Sequence, residues 1–156
     1  MSFAEIVAAF TRAVAAGDGE GLAGLFTADG TYVDGFYGPF TGRPAIAEML
    51  RHHFHGAARD FRWEMTDPVS DGRIGYARYL FSYTSTMPEA AGRRVIFAGI
   101  GCFELSDGAI ARYSEVFDRG TALAQLDFAP ERIKKALLRW AAAEAARPDA
   151  APHRGS

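Results

Sequence analysis

Apolar positions recur with two different periods along the chain, and the change of period divides it. Phe3, Ile6, Val7, Phe10 and Val14 repeat at helical spacing. They predict an amphipathic helix that stops at Gly17, a residue suited to a left-handed helix end. Asp18 follows as an N-cap for a short second helix carrying Leu22, Leu25 and Phe26. Asp29-Gly30 marks a turn, and Thr31 to Asp34 reads as a short strand. Residues 35–42 read as a loop containing Gly-Pro. Pro44 suits the first turn of a third helix bearing Ile46, Met49, Leu50 and Phe54, which ends near Gly56.

From there the period becomes two. Phe61, Trp63 and Met65 alternate with Arg62, Glu64 and Thr66. Asp71-Gly72 signals a hairpin, a long strand runs from Arg73 to Thr86, and a further strand from Arg93 to Leu105. Asp107-Gly108 is a second hairpin signal, and the last strand spans Ala109 to Phe117. A short helix with Leu123 and Leu126 precedes a final helix that starts at Pro130 and bears Ile133, Leu137, Trp140 and Ala141. Helices segregated from a four-strand antiparallel meander mean an α+β fold. Residues 1–147 form one domain, and the tail of residues 148–156 is expected to be disordered.

Strand phase nominates the residues that share a face. In the last strand Ala111, Tyr113, Glu115 and Phe117 form one set. In the long strand the set of Ile74, Tyr76, Arg78, Leu80 and Ser82 is assigned to the same, helix-covered side. The opposite row, Tyr79, Phe81 and Tyr83, is too apolar to leave in water. A partner subunit of a homodimer covers it, or the C-terminal helix does. Arg78 and Glu115 then read either as a pair at a pocket mouth or as a tuned acid/base group, because two charges in an apolar cavity need pairing. The side chains expected to contact a small hydrophobic molecule are Phe10, Trp63, Leu80, Tyr113 and Phe117.

Composition narrows the function classes. Twelve Phe, six Tyr and two Trp supply aromatic surface for a core or for pocket walls. A net charge of −2 gives no basic field for nucleic acid or an anionic membrane. A single cysteine, Cys102, excludes an intrachain disulfide and cysteine-ligated zinc, and its expected role is buried packing. His52, His53 and His55 sit near a helix end, where only His52 and His55 share a face, so they read as surface residues rather than a metal site. Neither a phosphate loop nor a nucleophile elbow is present, and no cofactor is expected. No stretch approaches the length of a membrane span, so the expected compartment is the cytoplasm.

The run LAGLFTADGTYVDGFYGPFTGRPAIAEML, followed by GCFELSDGAIARYSEVFD, resembles the SnoaL-like polyketide cyclase group. That group lies in the nuclear-transport-factor-two-like superfamily, with ketosteroid isomerases and limonene-epoxide hydrolases. The resemblance spans roughly Phe3 to Phe128. It implies a cone-shaped domain with helices packed on the concave face of a curved antiparallel sheet, a cavity between them, and dimers formed through the sheet. Similarity to the isomerases implies a proton-shuttling base at Asp34, while their oxyanion-hole donors are replaced by Phe10 and Gly101. Similarity to the epoxide hydrolases implies Tyr32 and Asp34 as water-holding positions, Arg78 as the strand arginine and Glu115 as the water-activating carboxylate. Their proton donor falls on Leu80.

The catalytic candidates are therefore Asp34, Glu115, Tyr32 and Arg78. Asp34 or Glu115 accepts a proton at a pKa raised by burial. Tyr32 and Tyr113 donate hydrogen bonds, and Arg78 orients Glu115 and holds it ionised. In that arrangement Asp34 is the better base near neutral pH. The alternative is a non-catalytic module of the same fold that binds a hydrophobic ligand.

Overall fold

The computed structural model describes residues 1–155. Helix α1, Phe3–Ala16, opens on a capping box: Glu5 N–H donates to the Ser2 hydroxyl, and Ser2 N–H donates to the Glu5 carboxylate. Gly17 closes it in the left-handed conformation at φ 70°. Asp18 caps α2, Gly19–Gly24, by accepting from Gly21 N–H. The chain then enters β1, Phe26–Asp34, which begins earlier than the sequence pattern indicated. Part of the expected loop pairs back as β2, Gly38–Thr41. Helix α3, Arg43–Met49, continues into a wider π-helical turn, Leu50–Phe54.

The meander comprises β3 (Ala58–Ser70), β4 (Ile74–Ser85), β5 (Arg94–Ser106) and β6 (Ala109–Phe117). Helices α4, Arg119–Gln125, and α5, Pro130–Ala145, follow. The six strands form one sheet in the order β2-β1-β6-β5-β4-β3. It is antiparallel except where β1 lies parallel to β6, an arrangement possible because the whole meander separates the two. Bulges in β3, with Asp60 and Asp67 at positive φ, add local bend and twist to the curved sheet.

Helix α1 covers part of the inner face. Phe10 stacks on Tyr32 and meets Trp63, Phe103 and Tyr113 edge-on or tilted, forming an aromatic core. Phe3 lies so close to Gly75 that a Cβ there would stand 2.4 Å from its ring.

The inward face of β4 is the reverse of the one expected: along its unbroken alternation Gly75, Ala77, Tyr79 and Phe81 are inward. Near the turn Ser70 pairs with Gly75 and Val69 with Tyr76. The register then shifts between Thr66 and Val69, so Met65 faces Tyr79 and Trp63 faces Phe81. Without the shift Trp63 would oppose Ser82. The extra residue exchanges the faces of β3 at that point and brings Met65 and Trp63 into phase with the inward residues of β4. Tyr79 and Phe81 point inward and are buried, and Tyr83 packs against the core with them. Arg78 and Leu80 point outward: Arg78 pairs with Asp67 on the surface, and Leu80 is 46% exposed. The row that faces water is Tyr76, Leu80, Ile96, Ile100 and Val116. Cys102 lies on this outer side opposite Tyr76 and Ser114, part-exposed rather than buried.

The tail expected to be disordered forms a 3-10 helix over Pro148–His153. Pro148 starts it, Arg147 clamps Glu144 and Asp149, and Arg154 donates to Ala145 and Arg147 carbonyls. Ser156 lies outside the described residues. No helix among the described residues is long and apolar enough to cross a membrane.

Candidate functional site

The part of the inner face that α1 leaves uncovered is a cavity of about 470 Å³. Aromatic rings make most of its wall: Phe61, Trp63, Phe81, Tyr83, Phe97 and Phe117 from the sheet. Phe97 and Phe117 stack at 4.4 Å between centroids. The third helix and its π turn contribute His53 and Phe54, and α5 closes the far side with Trp140. Two carboxyl groups, Asp34 and Glu115, reach this wall.

Glu115 is positioned by strand alternation and by two glycines. On β6, Tyr113, Glu115 and Phe117 point inward. Opposite them on β5 stand Gly101 and Gly99. A Cβ on Gly99 would lie 2.5 Å from the Tyr79 ring and hydroxyl and 2.7 Å from the Val116 carbonyl oxygen. The missing side chain is the space through which Tyr79 crosses β5 to reach Glu115. Tyr79 and Tyr113 hydroxyls both donate to Glu115 Oε2 at 3.0 Å. Oε1 is left without a side-chain partner.

Among the described residues no cation offsets this carboxyl. Burial pushes the Glu115 pKa up to about 8, and the charge of Asp34 pushes the same way. The two tyrosine hydroxyls and the Gly35 amide oppose the rise without cancelling it. A Glu115 that titrates near 8 keeps its proton at neutral pH. The expectation that Arg78 holds it ionised is overturned, because Arg78 lies on the outer face of β4 and pairs with Asp67 there.

Asp34 ends β1 and is buried. Its Oδ1 accepts from Phe36 N–H at 2.8 Å and Tyr37 N–H at 2.9 Å, which shapes the turn into β2. Burial raises its pKa, while these two amides and His53 lower it. The two backbone N–H groups on Asp34 Oδ1 favour its charged form, and that charge disfavours ionisation of Glu115.

The other expected site residues fall in three places. Trp63 and Phe117 line the cavity. Phe10, Tyr32 and Tyr113 are fully buried behind its wall instead of on it. Tyr113 still acts on the site through Glu115, but the Tyr32 hydroxyl has no hydrogen-bond partner. Leu80 and Arg78 are on the opposite face of the sheet. Sequence reasoning missed Tyr79, the partner of Glu115, and His53, which lines the cavity instead of facing only solvent. Gly99 and Gly101, alternating inside a strand, are the signal that marks such a close approach.

Comparison with known proteins gives the lineage. The SnoaL-like domain family matches residues 7–113. A protein with a ketosteroid isomerase-like fold from Catenulispora acidiphila, solved with trimethylamine, superposes at a TM-score of 0.72 and 22% identity, covering 83% of this chain and all of that one. A candidate polyketide cyclase from Xanthomonas campestris gives 0.66 at 22% identity, over 79% of this chain and 95% of its own. The LEH-like epoxide hydrolase of M. tuberculosis gives 0.64 at 22% identity, over 86% and 92%. At such identity the likeness is one of fold. No curated protein matches. The curved sheet, its helix-covered inner face and a family match over most of the domain agree, and this chain belongs to the SnoaL-like domain family.

Proposed function

We propose that the protein is a small-molecule enzyme in which Glu115 acts as general acid and Asp34 as general base on a hydrophobic substrate. The observation that carries this reading is a buried carboxyl on the wall of an aromatic cavity, held by two tyrosine hydroxyls with no cation beside it among the described residues. Burial raises both carboxyls, but two amides favour the charged form of Asp34 and no such pair serves Glu115, and unlike surroundings suit two carboxyls to opposite proton transfers. In an isomerisation or cyclisation, Asp34 takes a proton from carbon while Glu115 protonates the carbonyl oxygen, giving an enol. In epoxide opening, water attacks carbon and the C–O bond breaks. Asp34 takes the proton of the water, and Glu115 delivers its own to the leaving oxygen. The family supports this range of acid/base chemistry without selecting within it.

The test needs no substrate at first. In protein labelled with carboxyl-13C glutamate, one signal absent from Glu115→Gln should titrate near the raised value of about 8. With a turned-over epoxide or ketone in hand, Glu115→Gln should lower kcat by about 10²–10⁴-fold, the usual weight of a general acid. A Glu115 signal titrating like an exposed carboxylate would remove the acid role. Ligand binding with no turnover would leave a binding module.

A second copy of this chain on the outer sheet face is part of the proposal. Tyr76, Leu80, Ile96, Ile100 and Val116 form a contiguous apolar row there. Glu104 and Arg112 stand opposite one another beside it, and Arg78 lies within it. A face bearing both signs can pair with itself about a twofold axis. Light scattering should give a dimer mass for the wild type and a monomer mass for Ile100→Asp with Val116→Asp. A monomeric wild type at high concentration would refute it.

A further inference from the structure

The geometry points to a second recognition element at the mouth of the same cavity: α5 binds the anionic end of an otherwise apolar organic ligand. This inference rests on the cavity reading above and names the substrate class. Arg132, Lys135, Ala136, Arg139 and Trp140 all line the cavity. Their spacing places them on one face of α5. A helix that merely sealed an apolar cavity would turn its apolar residues inward. This one leaves Leu137 and Leu138 exposed and sets three solvent-accessible cations along the edge of the cavity.

These cations are largely uncommitted. Arg132 stacks over Phe128 and reaches Glu89 only at 3.8 Å. Neither Lys135 nor Arg139 makes a salt bridge among the described residues. They do not serve the carboxyl groups either, since no α5 cation is among the groups that shift Asp34 or Glu115. The cavity is therefore polarised. Acid groups hold one side, aromatic walls lie between, and positive charge rims the mouth. A neutral ligand leaves that charge unused. A flat or extended apolar body ending in a carboxylate or sulfonate engages all three zones. The anionic end also sets which atoms of the body reach Glu115.

Two fluorescent probes with one shared ring system separate the parts of this claim. N-phenyl-1-naphthylamine is neutral, and 8-anilinonaphthalene-1-sulfonate adds an anionic group to the same skeleton. The sulfonate should bind the wild type more tightly, displace the neutral probe, and weaken with added salt. Lys135→Gln with Arg139→Gln should weaken the sulfonate by about fivefold, as expected for two exposed charge pairs, and leave the neutral probe unchanged. Arg12→Gln with Lys134→Gln removes two cations that do not line the cavity and should change neither. Equal sulfonate affinity in the wild type and the Lys135/Arg139 variant, with the neutral probe still bound, would overturn the anion site and leave the cavity standing. Failure of the neutral probe to bind would remove the cavity reading and this inference together.

Discussion

Glu115→Gln should abolish a large loss of stability that the wild type suffers between about pH 5 and pH 9. The folded protein holds the Glu115 proton up to about 8, whereas the ordinary value is 4.5. Between those values the folded state binds more protons than the unfolded state, so stability falls as pH rises. The contribution is fully present below the ordinary value and is exhausted above the raised one. A shift of that size corresponds to roughly 3–5 kcal/mol, or on the order of 10 °C in Tm for a domain of this length. Glutamine keeps the shape and can still accept from Tyr79 and Tyr113, but it has no proton to lose. The variant should match the wild type near pH 5 and melt higher near pH 9. Groups with lowered values, Glu5, Asp71, Asp118 and Asp149, act with the opposite sign and on the acid side of this window. Thermal melts of both proteins at several pH values decide the matter, and parallel curves would mean that Glu115 ionises freely in the fold.

The second large effect is expected from Gly99→Ala. The added methyl would meet the Tyr79 ring at 2.5 Å and the Val116 carbonyl oxygen at 2.7 Å. The first neighbour can swing away, but the second is backbone of the adjacent strand. Overpacking of this kind costs about 1–3 kcal/mol. If Tyr79 yields, its hydrogen bond to Glu115 goes as well, for about 1 kcal/mol more. That bond is one of the influences holding the Glu115 pKa down, so its loss should move the titration higher still. Denaturant unfolding measures the first effect and the labelled-glutamate titration the second. Tyr79→Ala should relieve part of the cost of Gly99→Ala, which a double-mutant cycle reads as coupling. Additive losses, with an unmoved Glu115, would show that Gly99 does not make room for Tyr79.

The aromatic richness of the chain serves two tasks that composition alone does not separate. Phe10, Tyr32, Phe103 and Tyr113 form the closed core under α1. Phe61, Phe81, Phe97 and Phe117 line open space. The division follows helix coverage: α1 lies over the first group, while α4 and α5 stand off from the second and leave a cavity. Burial raises both cavity carboxyls, and the two backbone amides on one oxygen of Asp34 oppose the rise there.

Local pattern determined a great deal here. The capping signals at Asp18 and Gly17, the turns at Asp71-Gly72 and Asp107-Gly108, and the alternation in β3 and β6 are set by neighbours in the chain. Those signals, and the motif around Asp34 and Glu115, yielded the α+β meander, the family and both cavity carboxyls. The fate of Arg78, Leu80 and Tyr79 was decided only in three dimensions. Both faces of β4 are apolar enough to be inner faces, so alternation could not choose between them. Packing made the choice: Ala77, Tyr79 and Phe81 turn inward, and the bulge in β3 shifts that strand by one residue so that Trp63 opposes Phe81 and both rings leave water. The cationic face of α5 likewise became part of the site only when the helix docked over the cavity. Periodicity reports which residues of an element lie together, and only packing against other elements decides what they lie against.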